Sequence, residues 1–293
     1  MSRKTRVPFY NPLDPTHPRM WPNYTLVIPI CAVGNIGQLA SDLVISTLLS
    51  KQQCQLVGRI YSHALMPVVG PNAFSSGPGA PTTSTEVYES KQHKLVIVQQ
   101  RTSYFKSLKH LYIGDLIDWI KNGQFEQVLV LTSSFAQCNP DTSQLGDPSS
   151  CPIRAITTGS FDTQSSRWQS LGLKHLPGKR ELKLVTQDWL TYLPGSGLTR
   201  QLIRACERAF IPAAFLVDFC SEGINLHDCY QVVELLDRYL CLCEPCEQAA
   251  GWPARDSGDA AATTLTRTTT TTTVQGQVHS KWVEPYSWAQ AQC

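Results

Sequence analysis

The stretch IPICAVGNIGQLASDLVISTLLS, residues 28–50, passes from an apolar strand through a glycine-containing turn into a helix. The apolar run over residues 26–30 predicts a short buried strand. Asn35 is predicted to cap the helix through its side-chain oxygen, and Gln38, three positions on, to reach back to the N–H of the cap. The helix is predicted to be buried on most sides, because its apolar residues share one stripe and Asp42 alone interrupts its apolar character. The stripe consists of Ile36, Leu39, Ala40, Leu43 and Thr47.

The turn itself allows two interpretations, a phosphate cradle or a structural strand-to-helix turn. The dinucleotide fingerprint requires G-x-G-x-x-G and an acidic residue about 20 positions later. This chain offers only Gly34 and Gly37, and it has no acidic residue near Val57. We therefore interpret the two glycines as positions where strand and helix approach each other closely.

The region that follows predicts a parallel βαβ unit. A strand is predicted at Gln55–Tyr61, and a hairpin is predicted from Val87–Ser90 and Lys94–Gln100. Tyr104–Lys121 has the clearest amphipathic pattern, and Gln127–Leu131 is a short apolar run. Strand, helix and strand at this spacing imply parallel pairing with a right-handed crossover.

The second half of the chain alternates turns, helices and one more apolar strand. Residues 71–81 and 136–162 are turn-rich, and a helix is predicted at Thr199–Arg208. Ala213–Phe219 predicts a central strand. A helix over Leu226–Cys241 is predicted to be capped by Asn225, with Asp228 at its positive end.

Composition divides the chain into four parts. Residues 1–22 are predicted to be a proline-rich flexible arm, with ordered structure beginning near Tyr24. Residues 23–243 form the predicted α/β domain. Residues 244–280, which include six consecutive threonines, are predicted to be disordered, and residues 281–293 are an aromatic tail that cannot form a domain alone.

Bulk properties exclude several functional classes. The chain has 293 residues, a net charge of +2 and 16% charged residues, without a basic stripe, so a nucleic-acid partner is not expected. We expect no secretory signal and no membrane span, because the apolar runs are too short. The eleven cysteines are therefore expected to be thiols in the cytoplasm or nucleus.

The loop LPGSGLTR, residues 193–200, is the best candidate for an anion site. A glycine-rich loop that opens a helix can bind a phosphate, and Arg200 can assist. However, the loop lacks the Walker lysine, and Ser196 stands in G-S-G rather than in the G-x-S-x-G of a nucleophile elbow. A tight loop that presents its backbone to a neighbouring element is the favoured interpretation, and anion binding remains the alternative.

The remaining candidates for chemistry are incomplete. Cys241, Cys243 and Cys246 lack a fourth metal ligand nearby, so no metal site is predicted. Asp218 lies where α/β enzymes often keep catalytic residues, but it has no identifiable partner and is assigned a structural role. The histidines His63, His93 and His110 are expected at the surface or at element ends. We therefore predict no catalytic, cofactor-binding or metal-binding residues.

Seven segments together resemble the proteasome assembly chaperone family. They occur in order over about Tyr24–Leu242, and the combination of G-N-x-G-Q-L-A-x-D-L with P-G-x-G before a helix is the most specific part. The segments are VGNIGQLASDLVISTL, MPVVGPNAF, EVYES, LVIVQQRT, LVLTSS, LPGSGLTR and FCSEG.

The resemblance implies a three-layer α/β/α sandwich with a mostly parallel central sheet, similar to nucleoside phosphorylases but without their catalytic groups. It implies a non-enzymatic chaperone that pairs with proteasome assembly chaperone 1, guides proteasome α-subunits into a seven-membered ring and prevents pairing of α-rings, in cytoplasm and nucleus. The loops at Gly34–Gly37 and Gly195–Thr199 are expected to be structural determinants near partner surfaces. The chain departs from the family's hydrophobic–tyrosine–any-residue C-terminus, because it ends AQAQC and Tyr286 is internal.

Two alternatives remain open at this point. One is a phosphorylase-type transferase that binds phosphate at the Gly195–Arg200 loop. The other is an α/β scaffold for an unrelated protein partner.

Overall fold

The computed structural model describes residues 7–16, 20–75, 79–139, 151–176, 193–223, 225–243 and 281–291. The strands are β1 Tyr10–Pro12, β2 Thr25–Pro29, β3 Gln55–Ile60, β4 Val69–Gly70, β5 Thr82–Thr83, β6 Thr85–Ser90, β7 Leu95–Gln100, β8 Gln127–Phe135, β9 Arg154–Thr157, β10 Lys174–His175 and β11 Ala213–Cys220. The α-helices are α1 Ile36–Ser50, α2 Lys109–Gly123, α3 Ser166–Ser170, α4 Thr199–Arg208, α5 Leu226–Leu240 and α6 Tyr286–Ala291. Short 3₁₀ turns occur at Val33–Asn35, Lys106–Leu108 and Ala136–Cys138.

Nine of the described strands form one large sheet in the order β1-β3-β6-β7-β2-β8-β11-β9-β10. The four central strands β7, β2, β8 and β11 are parallel neighbours. β1, β3 and β6 extend the sheet beyond β7 through antiparallel pairs, and β9 pairs antiparallel with β11 on the other side. The carboxyl ends of the central strands therefore lie along one edge, which we call the carboxyl edge.

Helices cover both faces of this sheet. Side chains alternate along β2, so Val27 joins one core with α1 and α5, whereas Leu26 and Ile28 join a second core with α2 and α4. Because both faces of the central strands are buried, each contains a continuous apolar run, as expected for a parallel sheet, and polar residues of β7 and β8 follow that run toward the carboxyl edge. The predicted α/β/α class is confirmed. Among the helices described, none has the length and apolar character needed to cross a bilayer.

The predicted βαβ unit has the correct strand direction but the wrong neighbours. β7 and β8 are parallel, with α2 between them in sequence, but β2 lies between them in the sheet. The earlier strand takes the central position because its apolar residues on both faces can be covered there. α2 also begins at Lys109 rather than Tyr104, since Tyr104 bridges to Leu65 instead of entering the helix.

Both predicted asparagine caps are wrong. Asn35 has a left-handed backbone (φ 53°) and makes no capping bond, and the Gln38 amide donates to the Gln100 carbonyl at 2.9 Å. The Asn225 amide donates to the carbonyls of Ser221 and Gly223 at 2.9 and 3.0 Å. The Gln38 amide thus bonds to β7 instead of to the start of α1, and the Asn225 amide bonds back to the loop that precedes α5.

The described part of the N-terminal region is also more ordered than predicted. Residues 10–12 form β1, which pairs with β3, and the Trp21 indole N–H donates to a Glu89 carboxylate oxygen at 3.0 Å. Trp21 is fully buried against Tyr10, Trp119 and Phe125. The prediction that order begins near Tyr24 is therefore wrong, because aromatic packing anchors a proline-rich segment that cannot form a helix.

Two turn-rich regions also contain strands. β9 lies within residues 136–162 and was not predicted, because its four residues are too few to show a periodic pattern. β4 and β5 form a small antiparallel sheet at the ends of the 71–81 insert. The predicted disordered segment 244–280 lies outside the described residues.

Candidate functional site

The first glycine turn lies against the ends of two neighbouring strands. Gly34 has φ +69°, and a Cβ added there would lie 2.5 Å from the Asn225 amide nitrogen and 2.7 Å from the Cys220 sulfur. A Cβ on Gly37 would lie 2.6 Å from the carbonyl oxygen of Leu131 in β8. Gly37 therefore requires glycine because α1 packs closely on the backbone of β8, whereas Gly34 is favoured by its positive φ and by the side chains packed against it.

The second glycine loop packs directly against the first. Gly195 and Gly197 both have positive φ, +79° and +61°. A Cβ on Gly197 would overlap the carbonyl oxygen of Cys31, and one on Gly195 would lie 2.9 Å from the Phe135 ring. The Val33 N–H donates to the Gly195 carbonyl at 2.9 Å and joins the loops. We call the two loops, residues 33–37 and 194–199, the glycine junction.

Four hydroxyl groups donate hydrogen bonds to backbone carbonyls in and around the junction. Ser133 donates to the carbonyl of Val33, and Ser134 donates to the carbonyl of Pro194 at 2.8 Å. Thr199 donates to the Ser196 carbonyl at 2.6 Å, and Ser196 donates to the Leu193 carbonyl at 2.7 Å. A phosphate cradle needs donors that point at the ligand, whereas two of these hydroxyls hold the loops to β8 and the other two bond within the second loop.

Two thiols border the junction in a poorly reactive form. Burial raises the pKa of Cys31 to about 12. Burial, reinforced by the Asp218 and Asp228 carboxylates, raises the pKa of Cys220 to about 11. A thiol becomes a nucleophile only as its thiolate. Neither sulfur is therefore prepared for attack near neutral pH.

The other residues singled out from the sequence are scattered. Arg200 is the second residue of α4 and is half-buried, whereas Asp218 is buried in β11 and pairs in register with Ser133. His63 and His110 are exposed, as predicted. His93 is half-buried after β6, where burial and the nearby Lys51 lower its pKa.

The cysteine-rich stretch after α5 differs from the prediction. α5 ends at Leu240, so Cys241 stands beyond the packed helix with a left-handed backbone, and it is disulfide-bonded. The expectation that all cysteines are thiols is therefore wrong at Cys241. Cys243 is a free thiol, and Cys246 lies outside the described residues. Within the described ranges, no group of three potential metal ligands is present.

An exposed apolar surface lies at the carboxyl edge of the sheet, as the glycine junction does. The sequence alone did not predict this surface. The main-chain N–H of Phe105 donates to the Ala64 carbonyl at 2.8 Å, and that of Met66 donates to the Ser103 carbonyl at 3.3 Å. These bonds bring the loops after β3 and β7 side by side. We call the surface the apolar patch; it consists of Val7, Tyr61, Met66, Val68, Val69 and Phe105, all exposed.

Two cavities open onto the apolar patch. One, of about 590 Å³, is lined by Val7, Phe9, Tyr61 and other residues, and the second, of about 270 Å³, includes Tyr61, Val68 and Val69. Tyr61 lines both cavities, so they are adjacent. The only sequence signal was the unusually apolar loop MPVV at Met66–Val69, which shows no helical or strand periodicity.

Comparison with known proteins gives the relationship of the chain. The PAC2 family model matches residues 26–218, which span β2 to β11 and include both loops of the glycine junction. The chain belongs to the PAC2 family. It is 35% identical over 223 residues to proteasome assembly chaperone 2 of Nematostella vectensis, covering 74% of this chain and 89% of the relative. It is 33% identical over 229 residues to proteasome assembly chaperone 2 of Homo sapiens, covering 76% and 83%.

A solved structure supports the PAC2 fold. The crystal structure of Pyrococcus furiosus PbaA, an archaeal homologue of proteasome-assembly chaperone, matches with a TM-score of 0.55 and 18% identity. The match covers 81% of this chain and 88% of PbaA. At this identity the likeness concerns the fold alone.

Proposed function

We propose that this chain is a non-enzymatic chaperone that, as a heterodimer with proteasome assembly chaperone 1, promotes assembly of proteasome α-subunits into the α-ring and prevents α-ring dimerisation. The observation that carries the proposal is the shared name of its relatives, proteasome assembly chaperone 2, at 30% identity and more over about three quarters of the chain. We expect it to act in the cytoplasm and the nucleus.

The chemistry of the carboxyl edge supports a binding protein over an enzyme. Enzymes with α/β sheets keep their ligands in the crevice at this edge. Here the glycine junction fills that position with loop-to-loop packing, and Ser133, Ser134 and Thr199 direct their hydroxyls to backbone carbonyls. The inventory of nucleophile, base and oxyanion donors that a catalytic site needs is not assembled from these residues.

The apolar patch supports the proposal that the chain binds protein partners. Contiguous exposed apolar surface on a folded protein marks interaction sites. Side chains such as Val69, which is 68% exposed, gain little from folding and are available to a partner. A specific interface buries upwards of roughly 1,000 Å², so the patch is expected to form the centre of a larger contact.

The test is a reconstitution with two readouts. A tagged form of the full chain is co-expressed with proteasome assembly chaperone 1 and α-subunits, and the co-purifying proteins are quantified. The same preparation is assayed for nucleoside phosphorolysis, with Arg200→Ala as the matched variant. We expect capture of both partners and no turnover. Turnover that disappears in Arg200→Ala would overturn the proposal in favour of a transferase, and a chain that captures neither partner would overturn it in favour of an unrelated scaffold.

A further inference from the structure

The C-terminal segment Lys281–Ala291 packs against α1 and α5. Trp282 is 6% exposed and Trp288 is 9% exposed, and both belong to the same core cluster as α1 and α5. Side chains that are this large gain several kcal/mol by burial, so the two indoles hold the segment to the helices (roughly 1.5–3 kcal/mol for each large apolar side chain).

Hydrogen bonds from three separate elements fix the direction of this segment. The Val283 N–H donates to the buried Thr47 hydroxyl of α1 at 2.8 Å. The Tyr230 hydroxyl of α5 donates to a Glu284 carboxylate oxygen at 2.7 Å. The Ser287 N–H donates to the Ala73 carbonyl at 3.0 Å. Side chains of α1 and α5 and the backbone at Ala73 thus contact the segment along its length, as they would contact a bound peptide.

Lys281 anchors the beginning of the segment on two carboxylates of α5. Its ammonium lies 2.9 Å from a Glu234 oxygen and 2.7 Å from an Asp237 oxygen. The other Asp237 oxygen accepts from the N–H groups of Leu242 and Cys243 at 2.9 and 2.8 Å. Asp237 is 5% exposed, and a buried carboxylate needs such partners.

We call the surface formed by Thr47, Ala73, Tyr230, Glu234 and Asp237 the groove. We propose that this groove is a binding site for a peptide in which one tryptophan directly follows a lysine and a second tryptophan stands seven positions after that lysine. Its occupant is the chain's own Lys281–Ala291 segment, bound as a separable ligand. Residues 244–280 separate Cys243 from Lys281, yet both residues meet Asp237. The two described residues that flank this stretch therefore lie at one carboxylate, and the contacts to α1, α5 and Ala73 are all made by residues 281–288. Tethering raises the local concentration of the segment and keeps the groove occupied.

The test uses the full chain with a site-specific protease sequence inserted within the threonine run 268–273. The chain is folded, cut, and freed of its C-terminal fragment by extensive dilution and concentration in the presence of a thiol reductant, because Cys241 is disulfide-bonded. The cut chain is then titrated with a labelled synthetic peptide of residues 281–291. We expect one peptide to bind per cut chain, and the uncut chain to refuse the peptide because its groove is occupied.

Two peptide variants, each changed by one charge, separate the specific contact from general electrostatics. Lys281→Met in the peptide should weaken binding at least tenfold, because the buried Asp237 loses the ammonium and Glu234 keeps only Arg238 as a cationic partner. Glu284→Gln should change binding less than threefold, since its amide oxygen still accepts from Tyr230. Changes confined to the peptide leave the folding of the body untouched.

Three results would overturn the proposal. The peptide could fail to bind a cut chain that remains folded, or it could bind cut and uncut chains equally. The body could also unfold when the fragment is removed, which would make the segment an integral part of the core. None of these results involves proteasome subunits, so they bear on the groove and not on the proposed chaperone function.

Discussion

The glycine junction and the apolar patch lie on the same edge of one sheet and have opposite chemistry. In the junction, polar groups face inward and bond to each other, and Gly197 leaves no room for even one added carbon atom beside Cys31. In the patch, apolar side chains such as Val69 and Phe105 face outward. Glycine signals thus mark where the protein contacts itself, and an aperiodic apolar loop marks where it can contact a partner.

The largest expected effect is the loss of stability from a methyl group in the junction. Gly197→Ala introduces a Cβ against the Cys31 carbonyl at a positive φ, and should lower the free energy of unfolding by about 2–4 kcal/mol. Urea denaturation of the full chain measures the change. The matched control is Gly114→Ala in α2, where a Cβ meets open space and should raise stability by about 0.5–1 kcal/mol. Equal effects at the two sites would contradict the tight packing of the junction.

Alkylation of Cys31 measures the same packing kinetically. Because burial raises the pKa of Cys31 to about 12, the thiol stays protonated at pH 8. Only about one molecule in ten thousand then carries the thiolate, and this fraction rises as pH approaches the pKa. Gly197→Ala should increase the alkylation rate by about 30-fold or more, since a loss of about 2–4 kcal/mol raises the population of opened molecules, in which the thiol is ordinary, by that factor. Peptide mapping after timed iodoacetamide treatment follows this residue. Rapid labelling of the unchanged protein at pH 8 would contradict a closed junction.

The apolar patch should respond in the opposite way, through binding and not through folding. Val69→Glu should change the free energy of unfolding by less than about 0.5 kcal/mol, because the side chain is already exposed. It should weaken capture of a partner at least tenfold, since a charge at an apolar interface centre is desolvated without compensation. Quantitative co-purification with proteasome assembly chaperone 1 and α-subunits gives the result. Unchanged capture of both would exclude the patch as an interface.

The smallest expected effect concerns an exposed aromatic residue on the opposite edge. Phe210 is 83% exposed and has φ 53°, a conformation that bulky residues rarely adopt. Phe210→Gly should stabilise the chain by about 0.5–1 kcal/mol in thermal unfolding. Partner capture should not change, which makes this variant the control for Val69→Glu. A loss of capture would instead place the interface at the opposite edge of the sheet, where β11 begins.

The sequence predicts those features that local physics determines. Continuous apolar runs identified β2, β8 and β11, because strands buried on both faces need apolar residues throughout. The Gly195–Gly197 loop predicted the start of α4 at Thr199 correctly, since glycines at positive φ and a following amphipathic pattern are local signals.

The remaining features depend on contacts between distant residues. Nothing near Asn35 shows that Gln38 will bond to Gln100 and leave the helix uncapped. The pairing of Val33 with Gly195 joins loops about 160 residues apart, and the position of β2 between β7 and β8 depends on the whole sheet. The apolar patch has no periodicity and becomes visible only when two loops lie side by side.

Native mass spectrometry of α-ring assembly tests the central claim most directly. Purified α-subunits are mixed with proteasome assembly chaperone 1, with and without this chain, and the assembled species are counted. We expect a single α-ring that carries one copy of each chaperone, and fewer paired α-rings when the chain is present. Identical rings and paired rings in both mixtures, with no species that contains this chain, would contradict it.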